Sequence, residues 1–164
     1  MSGAIINSIA YDREGHRIAK VELPDTKAFL LAHPDAFLWI GLHEPDAAMV
    51  NTLQDQFGLH ELAVEDALNP TQMPKIEAYG QQLFIVARTA ANQEGDNIAF
   101  GQTAIFHGSD FIVTVRMGST RAHSKLRDRL EIDAERLSEG PDYVAHAVLD
   151  FIVDNYFPIV SSFE

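Results

Sequence analysis

The sequence contains no cysteine, which excludes both a disulfide framework and a thiolate metal site. It also lacks a long apolar run, because no window reaches the roughly 18 apolar residues that a bilayer span requires. Residues 1–10 have neither the basic stretch nor the apolar core of a signal peptide. These absences predict that the chain as given is water-soluble and belongs to a reducing compartment such as the cytosol.

Positive charge is scarce, since 24 Asp and Glu residues outnumber 12 Lys and Arg residues and give a formal charge of −12. Such a chain repels phosphate backbones and anionic lipid head groups and concentrates cations near its surface. Nucleic acid is therefore not expected as a partner. The content of 46% apolar and 22% charged residues is typical of a folded domain, and 164 residues suffice for one such domain.

Signatures of catalysis are also absent. The sequence has no G-x-S-x-G elbow, no Walker loop, no G-x-G-x-x-G and no H-E-x-x-H. We therefore predict that the chain is not an enzyme. A small α/β enzyme that uses Glu65, Asp66 and a histidine for acid–base chemistry is kept as an alternative, although no motif positions a substrate for it.

Apolar periodicity and turn residues predict an α/β fold, in which a mixed β-sheet is sandwiched by helices. The final helix is expected to lead toward an absent stalk. The predicted elements, in chain order, are a hairpin over 4–23, a strand at 37–42, helices at 45–58 and 60–68, a strand over 76–90 interrupted at Tyr79-Gly80, a hairpin of 98–107 with 111–116, a helix from Ser119 or Thr120 to about Leu137, and a last helix from about Asp142 to Glu164.

The same patterns predict which apolar side chains lie in the core. Two leucines of the 60–68 helix, Leu62 and Leu68, should point inward. The strand residues expected to be largely buried are Trp39, Ile40, Leu83, Ile85, Ile112 and Val115.

An acidic pair occurs in the predicted 60–68 helix. Glu65 and Asp66 are adjacent and so point about 100° apart, while Glu61 lies on the same side as Glu65. From spacing alone this pattern favours an ordinary solvated helix face.

A second polar stripe occurs on the last helix, where Asp142, His146, Asp150 and Asp154 recur every four residues. This spacing is again typical of a solvent face, but the carboxylates would repel one another and a bound cation is one way to relieve that repulsion. Carboxylate oxygens suit Mg²⁺, whereas the histidine would be a softer ligand for Zn²⁺ or Co²⁺.

Two segments resemble a known family. Residues 57–79 read F-G-L-H-E-L-A-V-E-D-A-L-N-P-T-Q-M-P-K-I-E-A-Y and resemble the F-G-[IL]-H-P-L-x-[LV]-E-D-[IA]-L-x-x-x-Q-R-P-K-[VI]-E-x-[FY] segment of CorA magnesium/cobalt transporters. Residues 147–158 are similar to the L-x-D-x-[IL]-V-D-x-Y-F that opens the family's helices after the sheet, and Trp39-Ile40 matches an upstream W-I. Glu61 replaces a common proline and Met73 a common arginine, so no family role is carried over to those two positions.

The resemblance implies a domain organisation and a function. Residues 1–141 would be the CorA-like cytoplasmic α/β domain, and 142–164 the first helix after the sheet, truncated before the stalk and transmembrane helices. The implied function is divalent-cation sensing on the cytoplasmic side of the membrane, which the chain would contact only through the absent transmembrane segment. A ZntB-like zinc transporter domain and a metal-independent assembly module remain alternatives.

The resemblance also implies partners and a metal site. Family members are homo-pentamers that bind divalent ions weakly between neighbouring subunits. By position, the acidic residues concerned are Glu65, Asp66 and Asp154, and the ion would be Mg²⁺, with Co²⁺ or Zn²⁺ as alternatives. Without stalk and membrane helices, the chain alone is expected to conduct no ions and to associate weakly at most.

Overall fold

The computed structural model describes residues 5–92, 97–118, 123–156 and 160–161. It begins with the predicted hairpin, in which β1 (Ile5–Tyr11) pairs antiparallel with β2 (Arg17–Lys20). The carboxylate of Asp12 shapes the turn by accepting the backbone N–H groups of Glu14 and His16. Gly15 is required there, because its φ is +82° and a Cβ atom would lie 2.0 Å from the carbonyl oxygen of Ala134.

The other strands and the helices alternate along the chain. The remaining strands are β3 (Phe37–His43), β4 (Lys75–Tyr79), β5 (Gln82–Asn92), β6 (Ile98–His107) and β7 (Phe111–Gly118). The described helices are α1 (Thr26–Ala32), α2 (Ala47–Phe57), α3 (Glu61–Leu68), α4 (Ser124–Ile132), α5 (Ala134–Leu137) and α6 (Pro141–Asp154), and a short 3₁₀ turn at Leu23–Asp25 precedes α1.

Local chemistry sets the ends of α2 and α3. At the start of α2 the Asp46 carboxylate accepts the N–H of Met49 at 2.9 Å, and Gly58 ends the helix with a left-handed φ of 65°. The ring of His60 accepts the N–H of Leu62 at 3.1 Å and caps α3. These short-range contacts place α3 directly after α2, as the sequence predicts.

The strands form one seven-stranded sheet in the order β2-β1-β3-β7-β6-β5-β4. The central pair β3 and β7 is parallel, and the other neighbouring strands are antiparallel. The sheet is therefore mixed, and helices cover both of its faces, which confirms the predicted fold class.

Each face of the sheet has its own core. On β3, Leu38, Ile40 and Leu42 point to one face while Phe37 and Trp39 point to the other, because side chains alternate along a strand. The first face, called here the α1–α3 face, has a core that includes Val50, Leu53, Leu59, Val64, Val113 and Val115. The second, the α4–α6 face, has a core that includes Trp39, Ile112, Leu126, Leu130, Val144 and Val148.

Some burial predictions were wrong. Trp39, Ile40, Ile112 and Val115 are buried as predicted, but Ile85 is only half-buried and Leu83 is 39% exposed. The reason lies in the position of β5 near the edge of the sheet. Ile85 still packs against the core of the α4–α6 face, whereas Leu83, at the beginning of the strand, lies outside that core.

The inward-facing side of α3 also differs from the prediction. Leu62 is 57% exposed, whereas Leu68 is half-buried and packs on the core as expected. The buried residues of α3 are Ala63, Val64 and Ala67, so the side of the helix that carries Leu62 faces solvent.

The helices described in the last third of the chain are shorter than predicted. Residues 119–122, where the long charged helix was predicted to start, lie outside the described residues, and the described part breaks between α4 and α5 at Asp133. That residue ends α4, and its carboxylate accepts the N–H of Arg136 in α5. The last helix, predicted from about Asp142 to Glu164, ends at Asp154, and helical geometry is described again only at Val160 and Ser161, where the N–H of Val160 donates to the Tyr156 carbonyl at 2.9 Å. Residues 157–159 and 162–164 lie outside the described residues.

Candidate functional site

The acidic pair Glu65 and Asp66 lies near the end of α3. This helix packs on the sheet through small residues, Ala63 and Ala67, which leaves Glu65 exposed and Asp66 half-buried at the helix margin. The helix end is fixed to the sheet, because the side-chain amide of buried Gln102 donates to the Asp66 carbonyl at 3.1 Å. Both carboxylates therefore belong to a helix whose end is hydrogen-bonded to the sheet.

Lys75 neutralises part of this acidic site. Its Nζ lies 2.5 Å from Oδ2 of Asp66 and 2.5 Å from Oε1 of Glu77. Residues 75, 77 and 79 alternate along β4 and so share one side of the strand. Because these side chains are neighbours, the Tyr79 hydroxyl donates a hydrogen bond to the Glu77 carboxylate at 2.8 Å.

The charges of this group influence one another. Hydrogen bonds to Asp66 and Glu77 raise the pKa of Lys75, and the Lys75 ammonium holds the pKa of Glu77 below its usual value. Lys75 was not singled out from the sequence, although it lies nine residues after Asp66 in the P-K-I-E stretch of the segment that resembles CorA. We call Glu61, Glu65, Asp66, Lys75 and Glu77 the α3–β4 acidic surface.

Asp154, the third predicted metal ligand, is the last residue of α6 and is exposed. The polar stripe of that helix faces solvent as predicted, while Val144, Val148 and Ile152 are buried against the sheet. The exposed members of the stripe are Asp142, His146, Asp150 and Asp154.

The fold brings Glu65 and Asp66 together but keeps Asp154 apart from them. α3 packs on one face of the sheet and α6 on the opposite face, so Asp66 and Asp154 of one chain cannot hold the same ion. Within the described residues of a single chain, no group of three or more His, Asp or Glu side chains is arranged to hold a metal ion. The donors themselves are carboxylate oxygens, which fit Mg²⁺.

No helix in the described parts of the chain has the length and apolar character that crossing a membrane requires.

The chain matches a protein-family model and is similar in sequence to named proteins. The family model described as CorA-like Mg²⁺ transporter protein matches residues 34–164. YfjQ of Bacillus subtilis (strain 168), a protein named as a metal ion transporter, is 32% identical over 147 residues, which cover 90% of this chain and 42% of YfjQ. The cobalt/magnesium transport protein CorA of Thermotoga maritima is 24% identical over 131 residues, or 77% of this chain and 37% of that protein.

A solved structure shares the fold of this chain. The soluble domain of CorA from Methanocaldococcus jannaschii matches with a TM-score of 0.72 at 14% identity, covering 99% of this chain and 61% of that one. The chain spans less than half the length of the curated relatives it matches. These relatives are named as ion transporters rather than enzymes, which supports the prediction that the chain is not an enzyme.

Proposed function

Since this chain belongs to the family of CorA-like Mg²⁺ transporter proteins, we propose that it is the cytoplasmic, divalent-cation-sensing domain of a longer metal ion transporter. The family match over residues 34–164 carries this proposal. The transport step belongs to the rest of that protein, and the chain's part is to sense the internal concentration of the ion.

The sensing site would be shared between subunits. Glu65 and Asp66 of one subunit would meet Asp154 of its neighbour, because the two sets of acids lie on opposite faces of the sheet. An interface that joins two different surfaces of the same molecule repeats head to tail, and it closes into a ring when the rotation between neighbours returns to the start. This geometry suits the homo-pentamer that the family resemblance implies.

The chemistry of the acids favours Mg²⁺. This ion takes hard oxygen ligands, keeps several waters and is usually bound through one or two carboxylates. Zn²⁺ would favour nitrogen or sulfur donors, but the chain has no cysteine, and the His60 ring stacks on Tyr79 at 4.2 Å while capping α3. Co²⁺ remains an alternative occupant of the same oxygen donors.

Lys75 would weaken the site. Its ammonium occupies Oδ2 of Asp66, so a divalent ion must compete with a charge already in place. Weak binding is appropriate for a sensor of an abundant ion, which must release the ion when its concentration falls.

Regulation then follows from linkage. An ion that binds only when two subunits are close stabilises the closed ring, and its loss allows the domains to separate and the pore to open. The ion shifts this equilibrium only by the difference between its affinities for the two arrangements.

Transport by the longer protein tests this proposal. The double variant Asp66→Asn/Asp154→Asn should need about tenfold more internal Mg²⁺ for half-inhibition of transport, since coupling energies of this kind are commonly 5- to 150-fold. The matched control is Asp55→Asn/Asp128→Asn, which removes the same charge from exposed positions on α2 and α4. Unchanged inhibition in the first variant would show that these acids serve a metal-independent role.

A further inference from the structure

Lys75 places a positive charge at one of the carboxylates that the proposed sensor uses. Its Nζ lies 2.5 Å from Oδ2 of Asp66 and 2.5 Å from Oε1 of Glu77. Because hydrogen bonds to both carboxylates raise the pKa of Lys75, its side chain stays charged at neutral pH. Asp66 therefore holds a monovalent cation that is part of the protein itself.

The packing of its side chain keeps Lys75 beside the acids. The side chain is 31% exposed, and its ammonium lies 6.0 Å from the centre of the buried Phe84 ring. Phe84 lies directly opposite Glu77 on the neighbouring strand β5. A group tethered this close to a site competes at an effective concentration that a free ion must match. The ammonium is therefore a stronger competitor for Asp66 than a free ion of the same charge.

Glu77 provides a second partner for the ammonium. Its Oε1 contacts Lys75, while its Oε2 accepts the Tyr79 hydroxyl at 2.8 Å. The Tyr79 ring stacks on the ring of His60, with the ring centres 4.2 Å apart, so Glu77 is held in place by a contact that does not involve Lys75. Hydrogen bonds from Lys75 and Tyr79 hold the pKa of Glu77 below its usual value. An ammonium that leaves Asp66 thus keeps one ion pair.

Charge decides which free ion competes successfully with the ammonium. The attraction between a carboxylate and a cation grows in proportion to the charge of the cation. Mg²⁺ carries twice the charge of the ammonium, and it binds through one or two carboxylates while it keeps several waters. Na⁺ and K⁺ carry the same single charge as the ammonium, but they have no N–H group to donate and no tether. Among these ions, the divalent one alone gains by the exchange at Asp66.

We propose that Lys75 reserves Asp66 for divalent cations: Na⁺ and K⁺ do not displace its ammonium, whereas Mg²⁺ does and leaves the ammonium on Glu77. This inference rests on the proposed sensing function and adds a charge selectivity to it. A sensor of Mg²⁺ needs such selectivity, because an acidic surface also attracts monovalent cations to the same oxygens. Lys75 sets which ion binds without being a ligand of that ion.

NMR spectroscopy of the 164-residue chain measures the displacement directly. The chain has four lysines, and the side-chain Cε–Hε signal of Lys75 is identified by its loss in Lys75→Met. We expect MgCl₂ to move this signal saturably and KCl at the same ionic strength to leave it in place. Asp66→Asn should abolish the response to Mg²⁺. The matched control is Asp55→Asn, the same charge change at an exposed position of α2, which should keep the response.

A second measurement separates competition for Asp66 from a general effect of charge. Lys75→Met should bind Mg²⁺ about fivefold more tightly, as expected for the loss of one partly exposed competing charge, and the backbone amide signal of Asp66 reports the binding. In this variant K⁺ should weaken Mg²⁺ binding when it replaces tetramethylammonium at constant ionic strength. The unmodified chain should show no such dependence on K⁺.

Lys20→Met is the matched control for this variant. It removes the same charge from an exposed position on β2, at the opposite edge of the sheet from β4. Its Mg²⁺ affinity and its indifference to K⁺ should equal those of the unmodified chain.

The inference would be overturned by a Lys75 signal that Mg²⁺ does not move or that K⁺ moves equally. It would also be overturned if K⁺ weakened Mg²⁺ binding equally in the unmodified chain and in Lys75→Met. Failure of the sensing proposal looks different, because Mg²⁺ would then displace Lys75 in the chain while Asp66→Asn/Asp154→Asn left the inhibition of transport unchanged.

Discussion

The two faces of the sheet are built from different residues, although they share the same strands. The core of the α1–α3 face is apolar, and the ionised groups near it, such as Asp66 and Lys75, stand at its margin. The α4–α6 face buries Arg116 and Arg127 beside Trp39. The difference is that ionised groups stay at the margin of the first core, whereas the second core has two guanidinium groups buried within it.

The alternation of β3 produces this separation. Leu42 points into the apolar core of the α1–α3 face, while its neighbour Gly41 opens a cavity of about 160 Å³ on the other side. A shift of one residue in register would exchange the two environments. The cavity therefore depends on the same strand pairing that keeps the first core apolar.

The largest expected effect tests the packing of the α1–α3 face. Leu53→Ala should destabilise the chain by about 2–5 kcal/mol, because Leu53 is fully buried and the deletion leaves a cavity in the core. The free energy of unfolding in urea measures this effect. Leu31→Ala, at a leucine that is 75% exposed, is the control and should change stability by about 0.5 kcal/mol or less. Equal effects would contradict the assignment of this core.

The second largest expected effect is a pH dependence of stability that arises from His123 on the α4–α6 face. Burial, together with the charges of Arg116 and Arg127, lowers the pKa of His123 from 6.5 to about 3. Between these values the unfolded chain binds a proton that the folded chain does not. The contribution of His123 to the free energy of unfolding is therefore fully present above pH 6.5. It falls by about 1.4 kcal/mol for each pH unit below that value.

Urea unfolding between pH 4 and pH 8 measures this dependence. His123→Gln cannot take up the proton and should flatten the acid side of the stability profile, and His33→Gln, at an exposed histidine, is the matched control. An acid limb of equal slope in all three proteins would show that His123 is not held neutral by its surroundings.

The smallest effect concerns the proposed metal ligands. Asp66→Asn and Asp154→Asn should each change the free energy of unfolding by less than about 1 kcal/mol, because Asp154 is exposed and the ion pair of Asp66 with Lys75 is partly exposed. Urea unfolding without divalent ions measures this. A loss comparable with that of Leu53→Ala would mean that these acids are structural, and that the proposed sensing role rests on the wrong residues.

Local patterns in the sequence predict most of the fold. Alternation and turn residues place the hairpins, and Asp46 and Gly58 bound α2 as expected. Exposure at Leu62 and Leu83 was missed because it depends on which side of α3 meets the sheet and on how far the core covers β5. The helix α1 was missed as well, since it is only seven residues long.

The candidate sites likewise contain parts that the sequence predicts and parts that require the structure. Glu65 and Asp66 come from one motif, and its resemblance to the CorA segment, rather than their spacing, singles them out. The ion pair of Asp66 with Lys75 requires α3 and β4 to be adjacent, and the stacking of Tyr79 on His60 requires the same adjacency. Such long-range pairings cannot be read from local spacing.

The central claim is that α3 of one subunit faces α6 of the next and that Mg²⁺ binds between them. Because the chain has no cysteine, introduced cysteines report this contact without background. Leu62→Cys lies one helical turn before Asp66 and Val153→Cys lies next to Asp154, both at exposed positions, so the proposed ligands are kept.

The most direct measurement is disulfide cross-linking of these two variants, mixed within the proposed full-length transporter, at low and at high Mg²⁺. We expect a cross-link between Leu62→Cys subunits and Val153→Cys subunits that strengthens as Mg²⁺ rises and that Asp66→Asn weakens. A mixture of Leu62→Cys with Ser109→Cys, an exposed loop position, should cross-link independently of Mg²⁺, if at all. Cross-linking of the first pair that is absent, or that is insensitive to Mg²⁺ and to Asp66→Asn, would contradict the shared site.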